Sequence, residues 1–160
     1  MSDIERPHTG DPRIKQMVID KLAEECLRWS DTASLEEWKQ ALSRVHLHDN
    51  GFEIARDLDR YGRVNGINAE LVEILDSASS YVWGARDKLV REWVRETGVK
   101  PSLAKGQRIK GRWHEGVITG FCEDIASYLM VPDDEQERFR NGGGHIIPYE
   151  EAELVEEQPA

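Results

Sequence analysis

Apolar positions recur at helical spacing through the first hundred residues and at strand spacing thereafter. Asp11-Pro12 supplies an N-cap followed by proline at the first helical position, where its missing N–H costs nothing. Ile14, Met17, Val18, Leu22 and Trp29 then mark one face of a helix running to Ser30. Ser34-Leu35-Glu36-Glu37 is a capping box opening a second helix, with Trp38, Ala41, Leu42 and Val45 as its buried stripe and Asn50-Gly51 as its stop. A third helix is predicted over Phe52 to Tyr61, with Ile54, Ala55, Leu58 and Tyr61 on one face, ending near Gly62. Arg63 to Ile67 reads as a loop and Asn68 as the next cap. Leu71, Ile74, Leu75, Ala78, Val82, Ala85, Leu89 and Trp93 keep helical spacing almost to Gly98, as one long helix or two joined near Gly84, and Pro101 closes the region.

From Lys105 to Val155 the pattern changes to short β-branched runs punctuated by glycine. Gln107 to Lys110, Gly116 to Phe121, Ser127 to Val131, His145 to Pro148 and Ala152 to Val155 each fit a strand. The spacing of Gly106-Gln107-Arg108-Ile109-Lys110-Gly111, Gly116-Val117-Ile118-Thr119-Gly120 and Tyr128-Leu129-Met130-Val131 resembles small SH3-like barrels of the KOW and Tudor kind. The acidic, glycine-rich connection from Pro132 to Gly144 departs from the simplest barrel pattern. The expected architecture is α+β: an N-terminal helical bundle followed by a small five-stranded SH3-like antiparallel β-barrel. Residues 1–10 read as a flexible leader, 11–99 as a helical domain, 104–156 as the barrel domain and 157–160 as a flexible tail.

Charge narrows the functional classes. Twenty-one basic against 31 acidic side chains give a net charge of −10, spread over both parts, which disfavours general nucleic-acid binding because phosphate neutralisation by Lys and Arg supplies most of that affinity. A helix-turn-helix over Phe52 to Leu75 fails for the same reason, since Glu70, Glu73 and Asp76 would line its recognition helix. No apolar run approaches the roughly 20 residues that span a bilayer, and the first residues lack a signal pattern, so a cytoplasmic protein is expected. Cys26 and Cys122 are too few for a disulfide framework.

Candidate chemistry is sparse. The barrel resemblance implies ligand contacts at a loop rim, where Trp113 sits in the turn Gly111 to Gly116. With Tyr128, Phe139 or Tyr149 it would form part of a peptide or methyl-lysine cage, while the plainer reading packs it over an open barrel end or the bundle. Lys105, Arg108, Lys110 and Arg112 make a basic first strand, able to meet RNA or an acidic peptide, or simply to protect an edge. The expected binding residues are therefore Arg108, Arg112, Trp113 and Tyr128.

Cys122 with His114 and His145 suggests a thiol–imidazole pair, but Glu123 and Asp124 oppose a thiolate. His46-Leu47-His48-Asp49 lacks a second metal-ligand cluster, and Gly142-Gly143-Gly144 lacks the Lys and Ser/Thr of a phosphate loop. Neither a cofactor nor a metal is expected. The reading that results is a non-enzymatic protein-binding adaptor or regulator, whose acidic surface suits a partner with a basic face. One variant is an acidic inhibitor of a nucleic-acid-binding protein from a phage or mobile element; the alternative is an RNA- or nucleotide-associated module using the basic first strand.

Overall fold

The structure, a computed structural model, describes residues 5–30, 32–61 and 66–155. Positions 1–4 of the expected leader, the expected helix end at Gly62, positions 63–65 of the expected loop and the tail 157–160 lie outside the described residues. The chain divides into two compact units between Val90 and Arg91.

The first unit is helical. Helix α1 (Pro12–Trp29) starts where Asp11 accepts from the Arg13 amide, and α2 (Leu35–Leu42) starts on the complete Ser34/Glu37 capping box. Helix α2 stops at Leu42, well before Asn50. The Ser43 hydroxyl donates to the Gln40 carbonyl at 2.7 Å, and Val45 and Leu47 are buried from the turns that follow. Asn50-Gly51 opens the next element instead: the Asn50 side chain accepts from the Glu53 amide at 3.0 Å at the start of α3 (Gly51–Tyr61).

Asn68 caps α4 (Ala69–Asp76), and α5 (Ala78–Thr97) follows after a break at Ser77. Gly84 lies inside α5, where an added Cβ would meet open space, so the glycine interrupts nothing. The joint falls at Ser77, whose amide turns back to the Ile74 and Leu75 carbonyls. Ile14, Val18, Leu22 and Cys26 of α1 bury against Trp38 and Leu42, Ile54 and Leu58, and Leu71 and Leu75 in one core.

The second unit is an antiparallel sheet. Its strands are β1 (Arg108–Lys110), β2 (Glu115–Cys122), β3 (Ser127–Val131), β4 (His145–Pro148) and β5 (Glu153–Leu154), in the order β4-β3-β2-β1-β5. This overturns the expected barrel. In the described residues β4 pairs only with β3 and β5 only with β1, so the hydrogen-bond ladder does not return on itself as an SH3-like barrel requires. β5 is two exposed residues long, too short to close the gap between the edges.

One face of the sheet carries the core. Ile109, Ile118, Tyr128, Met130 and Ile147 are buried there together with Ala126 and Tyr149, and Trp93, Val94, Val99 and Leu103 pack against them. Gly116 allows β2 and β3 to approach, because a Cβ there would stand 2.3 Å from the Val131 carbonyl oxygen.

Candidate functional site

The antiparallel meander β2–β3–β4 places the start of β2, the end of β3 and the start of β4 at one end of the sheet, since Val117 pairs with Val131 and Met130 with His145. The β1–β2 turn reaches the same end. The Gly111 amide donates to the His114 carbonyl at 2.8 Å, and a Cβ on Gly111 would lie 2.9 Å from Ile147 Cδ1, so glycine lets this turn sit close to β4.

Trp113 stands at the tip of that turn with 78% of its surface exposed. The Arg112 guanidinium lies 5.0 Å from its ring centroid, within cation–π range. Arg108 is differently placed. It donates to Asp133 Oδ2 at 2.6 Å and to Glu115 Oε1 at 3.4 Å, and these carboxylates, Asp133 first, hold it protonated more firmly than an ordinary guanidinium. Its charge is matched within the fold.

Tyr128 is not at the surface. It is fully buried between Phe121 (ring centroids 6.0 Å apart) and Tyr149 (4.6 Å), and its hydroxyl oxygen accepts from the Ser102 and Leu103 amides at 3.1 Å each. Trp113 and Tyr128 therefore do not share an exposed face, and Tyr149, also buried, joins the core rather than a cage.

Beside Trp113 lies an assembly that sequence reasoning did not compose. The rings of His114 and His145 stack with centroids 3.8 Å apart and planes at 20°, and Phe139 meets His145 edge-on at 5.4 Å. Glu135, from the 3₁₀ turn Asp133–Glu135, brings Oε2 to 3.1 Å from His145 Nε2, and Arg138 donates to the same oxygen at 2.9 Å. The hydrogen bond from His145, reinforced by Arg138, holds the Glu135 carboxyl below its ordinary range. An ionised Glu135 accepts only, so the proton in that contact sits on His145 Nε2. All three residues are partly buried, and one ligand-type atom from each of His114, Glu135 and His145 lies within 4.8 Å of the others.

Other expected groupings do not assemble at this end. Cys122 is seven residues along β2 from Glu115, a rise of roughly 20 Å or more, so the thiol and the two imidazoles lie at opposite ends of the strand. Burial, then the charge of Asp124, pushes the Cys122 thiol upward. In the helical unit His46 and His48 line a cavity of about 400 Å³ with Ile14, Lys15, Arg44 and Val82, where Lys15 already donates to the Ser43 carbonyl at 2.9 Å.

The signal for the histidine pair was present in the strand order. In a meander, a residue just before the second strand and one opening the fourth fall at the same end. Glu135 had no such signal, because it comes from the irregular 132–144 connection. Among the described residues no helix is long and apolar enough to cross a membrane. Compared with protein-family models, curated proteins and solved structures, the chain matches none.

Proposed function

We propose that this chain is a non-enzymatic, cytoplasmic adaptor or regulator that binds another protein through the Trp113 turn. The observation that carries the reading is an indole 78% exposed at a turn tip, held beside Arg112. Folding draws little benefit from so exposed a ring, whereas tryptophan and arginine are the residues that most often anchor interfaces. The fitting partner offers an apolar pocket for the indole and a carboxylate or carbonyl at its rim for Arg112. The net charge of −10 favours encounter with a partner that is basic overall.

The alternative, an RNA- or nucleotide-associated module, has less support because Arg108, the centre of the basic strand, is paired with Asp133 and Glu115. The test is photo-crosslinking from exposed position 110, beside the turn, of the full chain in native cytoplasm. A saturable protein adduct is expected, reduced at least tenfold by Trp113→Ala and retained by Trp83→Ala, which removes another exposed indole, from α5. Equal crosslinking by the Trp113→Ala protein, or none by the parent, overturns the reading.

A further inference from the structure

We infer that His114, Glu135 and His145 form a binding site for a divalent transition-metal ion of the zinc class. Three separate segments converge to make it: the β1–β2 turn, the 3₁₀ turn after β3 and the first residue of β4. Two imidazoles and one carboxylate are a donor set suited to zinc and its neighbours, whereas calcium and magnesium prefer oxygen ligands throughout.

The spacing is near what ligation needs. Zinc bonds of roughly 2.0–2.1 Å in a tetrahedron put ligand atoms about 3.4 Å apart, and these three lie within 4.8 Å of one another before any adjustment. The adjustment is side-chain rotation. The stacked rings must tilt so that a nitrogen of each points at a common centre, and the ion replaces the hydrogen bond between His145 Nε2 and Glu135 Oε2, with an imidazole that ligates through Nε2 carrying its proton on Nδ1. Arg138 donates to the same Oε2 from a largely exposed position, and it is placed to orient the carboxylate once the ion is bound. Three protein ligands leave a fourth position for water or for a side chain of another molecule.

The site has a structural consequence for its neighbour. His114 follows Trp113 directly, so a bound ion ties the exposed turn to β4 and to the 3₁₀ turn, reducing the freedom of the indole. Metal alone probes the three side chains, independently of any protein partner.

The experiment is titration of tag-free, chelator-treated full-length protein with Zn²⁺ by calorimetry, and with Co²⁺ by visible absorption. One saturable Zn²⁺ site is expected, together with the intense absorption of four-coordinate Co²⁺. His145→Ala and the conservative Glu135→Gln should each weaken Zn²⁺ binding at least tenfold, with circular dichroism showing that both variants fold. The His46→Ala/His48→Ala protein should bind as the parent does. Absence of saturable binding overturns the site, as does undiminished binding by His114→Ala/His145→Ala protein or a loss produced only by the His46/His48 pair.

Discussion

Replacing Tyr128 by phenylalanine isolates one oxygen atom in the core of the sheet unit. The ring is retained, so the contacts with Phe121 and Tyr149 persist and no large cavity opens. What is lost is the acceptor for two backbone amides, Ser102 N and Leu103 N, each at 3.1 Å and partly buried. A hydrogen bond of this kind contributes about 0.5–1.5 kcal/mol net. Two of them in a partly wet setting give an expected loss of about 1–2 kcal/mol, or roughly a five- to thirtyfold shift in the opening equilibrium.

Native-state hydrogen exchange is the suitable assay, because two units need not unfold together and a single global midpoint would mix them. Protection of the Ser102 and Leu103 amides should fall first and most, followed by β3, while α1 and α2 keep their rates. Trp113→Phe should change the same peptides by less than about 0.5 kcal/mol, as a surface substitution does. Unchanged protection at 102 and 103 in the Tyr128→Phe protein would show that the hydroxyl does not hold that segment.

Two further outcomes follow from the helical unit and the thiols. Gly51→Ala should destabilise the first unit by about 3 kcal/mol or more, because the new Cβ would meet the Val72 carbonyl oxygen at 2.2 Å and the Asp76 amide at 2.6 Å, and would disturb the 2.6 Å bond from Gly51 N to Asp76 Oδ1. Helix propensity alone predicts the opposite sign, a gain of about 1 kcal/mol, so chemical denaturation followed by helical circular dichroism separates the two arguments. Alkylation should distinguish the cysteines: burial, with Glu25 behind it, pushes the Cys26 thiol up to about 12, and Cys122, also raised but partly exposed, should react first and slowly at neutral pH. Rapid modification of Cys26 in folded protein, read by mass spectrometry, would contradict the burial.

Local signals in the chain carried the element list because each rests on neighbours a few residues apart. Asp11 with Pro12, the Ser34/Glu37 box and the Asn68 cap act within one helical turn, and short β-branched runs between turn residues marked the five strands. Tertiary contact decided the remainder. Asn50-Gly51 has the composition of a helix stop, yet it starts α3 because only glycine lets that backbone lie against Val72 and Asp76. Strand spacing could not distinguish an open sheet from an SH3-like barrel, since closure depends on whether the edge strands meet, and β5 is too short for that.

The site divides in the same way. Trp113 could be picked out as a residue a turn does not require, and Arg112 by its place in the basic first strand. Tyr128 could not be assigned to the core from alternation alone, because both faces of β3 are largely apolar and the amides that hold its hydroxyl come from 25 and 26 residues upstream. The strand meander sets His114 and His145 at one end of the sheet, but Glu135 reaches them from an irregular segment with no period. The convergence of those three side chains is a property of the folded chain, created by packing over distances that no local pattern encodes.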